Sequence, residues 1–362
     1  CTGTAASEDG DRQDGQAEFR KRRRMTGGAD KPISGLGPHG ERAAGPGRIT
    51  LTDADIEAAR GRGFSVAVVI HTLDSDWSRQ SMAGIVGTFG QCGAVVSEVV
   101  DCGFDADAQI AALKRLSGEP IDAIISIPVA NAAVADAHRE VAQAGKKLIL
   151  LDNVPTGLLP GRDYTSLVSA DNFGLGLMGA ELLSLHVAEG GRVGLLTYGV
   201  DFYATNEREI AFGRWIRAHR PDLQVTTRRF SSLETAGKTT EALIGEVADL
   251  AALFVVWDVP AMGAIKALHR LGIRIPVSTV DLGREVAIDL AREGATVGVA
   301  AQQPHSLGAA AAQSAVLALL GLPVPGWTAL PGVAVTRSNV IESYQLIWNT
   351  AAPAEILMLR HR

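Results

Sequence analysis

The chain has 362 residues, a hydrophobic fraction of 46% and a formal net charge of −6. Its length is sufficient for two domains of ordinary size. The acidic balance argues against a nucleic-acid-binding protein, which usually presents a basic face. No apolar run is long enough to cross a bilayer. The closest candidate, residues 307–322, contains Gln313 and Ser314 and therefore predicts a buried helix.

Residues 1–49 predict an unstructured tether. Up to residue 48 the chain is rich in Gly, Asp, Glu and Arg, so it cannot bury enough apolar surface to offset its ordering entropy. Cys1, followed by small residues, is typical of a processed bacterial lipoprotein whose cysteine carries the lipid, although an arbitrary chain start would look the same. A basic run at residues 20–24 either contacts anionic lipid headgroups or is a solvated charge cluster.

A regular pattern begins near residue 51. Thr52, followed by acidic residues, predicts a short capped helix. After it, apolar runs typical of buried parallel strands alternate with helical patterns. This alternation is the signature of a doubly wound parallel sheet. The predicted strands are 64–70, 95–100, 123–127 and 147–151, and the predicted helices are 78–92, 107–117 and 132–144.

The same alternation then starts again, with Asp171 as the cap of a helix. Two successive units of similar size predict an α/β fold with two doubly wound parallel-sheet lobes. We assign residues 50–169 and 302–332 to the N-terminal lobe, and residues 170–301 and 333–350 to the C-terminal lobe. The second unit has predicted strands at 191–197, 224–230, 252–257 and 277–281, and predicted helices at 171–188, 207–219, 239–249 and 261–271.

Two of the three cysteines, Cys92 and Cys102, flank the apolar run at residues 94–100, which predicts a single strand. A strand rises about 3.3 Å per residue, so its ends are too far apart for a disulfide. We expect both thiols to be free and to serve in packing.

Candidate ligand-binding residues follow the predicted strands, because ligands of doubly wound sheets bind beyond the carboxyl ends of the strands. Polar side chains and two of the five tryptophans collect there. Carboxylates and amides bind hydroxyl groups, and aromatic rings stack on C–H faces, so this set indicates a small polyhydroxylated solute. The candidates are His71, Asp74, Ser75, Asp76, Trp77, Asn131, Trp257, Asp258, Asp281 and Gln302.

Several of these candidates, and Arg208 as a further one, also have a structural interpretation. His71 could be a core or capping histidine, and Trp77 could fill space under its loop. Asp74 or Asp76 could cap the following helix, and we expect that one of them does so. Arg208, between Glu207 and Glu209, could pair with an acidic neighbour.

Enzyme motifs are weak in this sequence. A GxGxxG pattern at residues 174–179 lies inside a predicted helix, where small residues for close helix packing explain it. The sequence contains no P-loop, no GxSxG elbow and no histidine pair at metal-ligand spacing. We therefore expect a protein that is not an enzyme and has no cofactor or metal.

Several segments carry a family resemblance. They are Val66–Thr72, Ser169–Gly174, Glu207-Arg208 with Phe212, Trp257-Asp258 with Met262-Gly263-Ala264, and Gln302-Gln303-Pro304 with Gly308. With these segments the chain resembles the ribose-type periplasmic binding proteins of sugar ABC transporters (type I) over residues 64–344. The resemblance implies two lobes joined by a three-strand hinge, with crossings near Ser169, Ala301 and residues 333–337. It also implies solute contacts at His71, Ser75, Trp77, Arg208, Trp257, Asp281 and Gln302.

The function implied by this resemblance is capture of a sugar or sugar alcohol and its delivery to a membrane permease. A sensory role with the same fold is the alternative. We expect an extracytoplasmic monomer that is lipid-anchored through Cys1 or periplasmic. A LacI-type repressor shares the lobes but needs a helix-turn-helix, and residues 1–48 have no apolar helical period.

The sequence also departs from the family pattern. Trp257 stands where ribose-type proteins usually have Asn, and Ala130 beside Asn131 where they have an Asp. Asp74, Asp76 and Trp77 replace a common Asn-Pro-Phe type of loop. These departures argue against ribose, and the bulk of Trp257 favours a smaller or acyclic polyol.

Overall fold

The computed structural model describes residues 32–361. The predicted lipidation site Cys1, the basic run at residues 20–24 and most of the predicted tether lie outside the described residues. Among the helices that are described, none combines the length and hydrophobicity needed to cross a membrane.

The first sheet has six parallel strands in the order β11-β5-β4-β3-β1-β2. Helices on its faces bury most of the inner strands, which are therefore largely apolar, and the five residues Val66 to Ile70 are all buried. The strands are β1 (Ser65–Ile70), β2 (Val95–Asp101), β3 (Ala123–Ser126), β4 (Lys147–Leu151), β5 (Ser166–Ala170) and β11 (Trp327–Leu330). The helices of this lobe are α1 (Asp53–Arg60), α2 (Asp76–Gln91), α3 (Ala106–Ser117), α4 (Ala135–Gln143) and α10 (Pro304–Leu319).

The second sheet repeats this design in the order β12-β10-β9-β8-β6-β7. All its pairs are parallel except β10 with β12, which is antiparallel. The strands are β6 (Arg192–Tyr198), β7 (Gln224–Phe230), β8 (Leu250–Val255), β9 (Val277–Val280), β10 (Thr296–Ala301) and β12 (Val333–Val335). The helices are α5 (Asn172–Ser184), α6 (Tyr203–His219), α7 (Ala236–Glu246), α8 (Asp258–Arg270), α9 (Arg284–Ala291), α11 (Val340–Trp348) and α12 (Ala354–Leu357). The predicted fold class, two doubly wound lobes, is confirmed.

The chain passes between the sheets three times. It leaves the first sheet after β5, returns after β10 through α10, and leaves again between β11 and β12. The third crossing lies at residues 330–333, slightly before the predicted region at 333–337. Three adjacent crossings at one edge form a hinge that allows the lobes to open and close.

Glycines set the closest helix contacts in both lobes. A Cβ added at Gly84 or Gly308 would overlap a backbone carbonyl oxygen of the facing helix, of His305 and Ser81 respectively, so α2 and α10 meet backbone to backbone. A Cβ at Gly176 would overlap the carbonyl oxygen of Arg208. Gly176 of the GxGxxG pattern therefore serves close helix packing, as predicted from the place of the pattern inside a helix.

The predicted tether, residues 1–49, extends too far along the chain. Residues 33–49 pack on the folded lobes: Ile49 is fully buried, and Ala44 forms a β-bridge with Thr328 of β11. Farther upstream, the backbone N–H groups of Ser34 and Gly35 donate to the Asp171 carboxylate at 2.7 and 3.1 Å. Composition misled the prediction because backbone hydrogen bonds, rather than apolar side chains, hold most of this segment. Cys92 and Cys102 are free and buried, as predicted.

Candidate functional site

A cleft of about 350 Å³ is lined by residues that follow strands of both sheets. This volume is in the range of small-molecule sites. Nine of the eleven predicted ligand-binding residues line it, namely His71, Asp74, Ser75, Trp77, Arg208, Trp257, Asp258, Asp281 and Gln302.

The other two predicted residues, Asp76 and Asn131, are absent from the lining. Asp76 Oδ2 accepts the backbone N–H of Arg284 at 3.0 Å, and Asp76 Oδ1 accepts from Arg79 at 2.6 Å. Because Arg284 opens a helix of the other lobe, Asp76 links the lobes across the mouth of the cleft. The backbone carbonyl of Asn131 accepts the N–H of Thr156 at 3.0 Å.

The cap of α2 is Ser75, so the expectation that Asp74 or Asp76 caps this helix is wrong. Ser75 Oγ accepts the N–H of Ser78 at 3.1 Å and donates to Ser78 Oγ at 2.9 Å. A serine hydroxyl can accept the N–H of the third helical residue as well as a carboxylate can. Because Ser75 caps the helix, Asp74 is not needed there, and its side chain is exposed at the cleft.

Aromatic rings form the two walls of the cleft. On the first lobe, His71 packs edge-on against Trp77 at 5.9 Å and against Phe104 at 5.0 Å between ring centroids. On the second lobe, Trp257 stands perpendicular to Tyr198 at 5.2 Å. Rings held in this way offer a rigid apolar surface at low entropic cost.

Two aspartates, Asp152 and Asp281, follow the fourth strand of each sheet directly and have left-handed backbone conformations, with φ of 55° and 70°. Such conformations are uncommon outside glycine and cluster at functional sites. Both residues are buried, at 5% and 7% exposure. Each turn therefore aims a carboxylate inward at the end of its strand.

Arg208 lines the cleft with these carboxylates and is held rigidly, with 4% of its surface exposed. Its Nε and Nη2 donate to Asn172 Oδ1 at 3.0 and 2.8 Å, and its Nη1 donates to the carbonyl of Val256 at 3.0 Å. These partners, rather than Glu207 or Glu209, orient the guanidinium.

Burial raises the pKa of three aspartates in the cleft. Desolvation is the main cause for Asp152, Asp258 and Asp281, and the charge of Arg208 lowers the pKa of Asp152 and Asp281 in the opposite direction. Asp281 raises the pKa of Asp258 further. Burial also lowers the pKa of His71 to about 4, so this imidazole is neutral at physiological pH.

Buried polar atoms without a partner among the described residues converge on the cleft. They include Trp77 Nε1 and His71 Nδ1 on the first lobe, with Asp281 Oδ1 and Gln302 Oε1 at the second lobe and hinge. A buried polar atom without a hydrogen bond is costly, so this set predicts a ligand that supplies both donors and acceptors.

Some lining residues were missed by the sequence analysis, including Asp152, Phe104, Tyr198 and Phe202. Asp152 directly follows β4, and Tyr198 is the last residue of β6. The search for residues at the carboxyl ends of strands, which identified Asp281, would therefore have identified both. Phe104 and Phe202 lie in loops farther from their strands, and no local pattern distinguishes them.

Asp281→Asn is expected to stabilise the solute-free protein at about pH 7.5, with a gain that shrinks as the pH falls towards about 4. The native pKa of Asp281 is raised, so its contribution to stability is present at low pH and is lost as pH rises through that value. Asparagine has no such charge and tolerates the left-handed conformation. Urea denaturation over this pH range measures the difference.

Asp222→Asn is the control, because it is expected to change the free energy of unfolding in the opposite direction. A hydrogen bond from Arg220 lowers the pKa of Asp222 to about 2. Its contribution to stability is present above its ordinary pKa and is lost as pH falls, so Asp222→Asn is expected to destabilise at about pH 7.5. A difference between Asp281→Asn and the wild type that is constant with pH would contradict the prediction.

Comparison with known proteins gives a consistent result. Residues 66–323 match the family described as periplasmic binding protein domain. The ribose import binding protein RbsB of Haemophilus influenzae is 23% identical over 244 residues, which cover 67% of this chain and 82% of that protein.

Solved structures with the same fold include two from Agrobacterium vitis, both ABC transporter solute-binding proteins. One is bound to α-D-tagatopyranose, with a TM-score of 0.71, 22% identity and coverage of 76% of this chain and 96% of that one. The other is bound to allitol, with a TM-score of 0.69, 21% identity and coverage of 78% and 98%.

Proposed function

Because the chain belongs to the periplasmic binding protein domain family, we propose that it is the solute-binding component of an ABC importer and holds a sugar or sugar alcohol in its cleft. The main support is the convergence of unpartnered buried polar atoms on a cleft with aromatic walls. Hydroxyl groups both donate and accept, so a polyol can satisfy Trp77 Nε1 and Asp281 Oδ1 together. The sugar and the alditol bound to similar proteins are consistent with this class.

Membership of this family implies a periplasmic or extracytoplasmic location. We further propose delivery of the solute to a membrane permease, a monomeric protein and lipid anchoring at Cys1. Contacts between the lobes support a closing mechanism. Besides the Asp76 contact, the Tyr203 N–H donates to Asn153 Oδ1 at 3.0 Å, so the cleft is bridged on two sides.

A thermal-shift screen of sugars and alditols tests the proposed class. A ligand that binds only the folded protein raises the midpoint of thermal unfolding in proportion to the logarithm of its concentration over Kd. We expect stabilisation by at least one polyhydroxylated compound. Stabilisation only by amino acids, or by none of these compounds, would contradict the proposed function.

Trp257→Leu is expected to weaken binding of the solute found in that screen by about tenfold or more, because a buried aromatic anchor contributes strongly to an interface. Isothermal titration calorimetry measures the change. Trp215→Leu is the matched control, since Trp215 lies outside the cleft and stacks on His219 at 4.6 Å between ring centroids. Equal affinities for the two variants would contradict a ligand-stacking role for Trp257.

A further inference from the structure

The charges that line the cleft are unbalanced. Arg208 is the only lysine or arginine among the described lining residues. Five carboxylates line the same space, those of Asp74, Asp152, Glu234, Asp258 and Asp281. Low-dielectric walls focus the field of such a cluster, so the cleft attracts positive charge.

The single positive charge of Arg208 does not neutralise the carboxyl groups that line the cleft. Three of its five N–H groups already donate to Asn172 and Val256, and the side chain is only 4% exposed. One guanidinium lowers the pKa of both Asp152 and Asp281, and it cannot neutralise both of them. The lining therefore retains more carboxyl groups than cations.

The second lobe holds two carboxylates close together. Asp258 Oδ2 accepts the N–H of Gly283 at 2.9 Å, which fixes the start of α8 against the loop that follows Asp281. Asp258 Oδ1 accepts the N–H of Val259 at 2.8 Å, whereas Asp281 Oδ1 is buried without a partner. The unpartnered oxygen is thus the one available to a donor from the solute.

The aromatic walls suit a cation as well as a sugar. Trp257 adjoins Asp258 in the chain and lines the cleft with Tyr198, and Trp77 lines the opposite side. Indole faces attract ammonium groups through the ring quadrupole, most strongly when the site is desolvated. Carboxylates beside indole rings form a more favourable environment for an ammonium than for a neutral hydroxyl.

Building on the proposed function, we propose that the solute is a polyhydroxylated primary amine, an amino sugar or amino alditol, whose ammonium group pairs with the carboxylate cluster of Asp281, Asp258 and Asp152. Its hydroxyl groups then form hydrogen bonds with three other unpartnered atoms, Gln302 Oε1, Trp77 Nε1 and His71 Nδ1. A charge-assisted hydrogen bond to Asp281 is roughly twice as strong as a neutral one.

Matched pairs of compounds test this proposal by calorimetry at about pH 7.5. Each pair has one skeleton with a hydroxyl or an ammonium at one position: glucose and glucosamine, galactose and galactosamine, mannose and mannosamine, glucitol and 1-amino-1-deoxyglucitol. In every pair that binds, the amine is expected to bind about tenfold or more tightly. Equal or tighter binding of the neutral member overturns the amine proposal and leaves the proposed function intact.

A diamine without hydroxyls, 1,4-diaminobutane, distinguishes the other failures. If it binds as tightly as the best amino sugar, the polyol part is wrong and the proposed function falls with it. If no compound of any pair binds, both proposals are overturned. Binding of an amino sugar with weak or absent binding of the diamine supports both.

Asp281→Asn examines the role of the carboxylate itself. The substitution keeps the shape and the left-handed backbone but removes the charge, so the preference for the amine is expected to fall by about tenfold. Asp222→Asn removes the same charge from a residue outside the cleft lining and is expected to keep the full preference. An unchanged preference in Asp281→Asn overturns the pairing with Asp281.

Discussion

Arg208→Met is expected to lower the free energy of unfolding by about 3–5 kcal/mol, the cost of removing one partner from a buried charge cluster. Methionine keeps the apolar stem but removes the positive charge that lowers the pKa of Asp152 and Asp281. It also leaves Asn172 Oδ1 and the Val256 carbonyl without their donors. Urea denaturation of the solute-free protein at about pH 7.5 measures the loss.

The matched control is Arg229→Met. Arg229 bonds Glu209 at 2.7 Å, but its side chain is 53% exposed, so its removal is expected to cost about 1 kcal/mol or less. The loss in Arg208→Met is also expected to shrink at lower pH, because protonated Asp152 and Asp281 no longer need the buried positive charge of Arg208. Comparable losses for the two variants would show that the guanidinium does not compensate the buried aspartates.

Gly308→Ala is expected to destabilise the first lobe by about 3 kcal/mol. The added methyl would overlap the backbone carbonyl of Ser81, and a backbone atom cannot rotate away as a side chain can. The helices α2 and α10 would have to separate, and α2 carries Trp77 into the cleft. Solute affinity is therefore expected to fall together with thermal stability.

Gly87→Ala on the same helix is the control for this change. A Cβ at Gly87 meets nothing within 4 Å, so alanine there is expected to be neutral or to stabilise the helix by about 0.5–1 kcal/mol. Calorimetric unfolding of both variants separates the effect of helix contact from that of helix propensity. Similar changes in the two proteins would refute the backbone-contact explanation.

The fold was accessible from sequence because strands buried on both faces give continuous apolar runs. The residues from Val66 to Ile70 form such a run, and all are buried. The edge strand β2 alternates between half-buried and exposed residues, but its valines still form a run apolar enough to predict a strand at 95–100. The family resemblance added the hinge, which no local pattern of residues encodes.

The site was only partly accessible for a related physical reason. A search for residues at the carboxyl ends of strands locates His71 and Asp281, but it does not locate the partners that orient such side chains. Asn172 holds Arg208 from 36 positions earlier in the chain, a contact that depends on how α5 packs against α6. The Ser75 cap and the Asp76 contact to Arg284 likewise depend on exact loop geometry, and sequence spacing made them indistinguishable from ligand contacts.

The early segment around Ser34 sets a practical limit on shortening the chain. Its backbone bonds Asp171 at a crossing between the lobes, and the Leu36 carbonyl accepts from Tyr203 Oη at 2.6 Å. Ala44 meanwhile bonds the first lobe. A truncated protein that started at residue 50, where the composition suggests that order begins, would keep every wall of the cleft but lose this brace across the hinge. The rate of solute release measured on such a fragment would then reflect a hinge without these contacts and would differ from that of the intact protein.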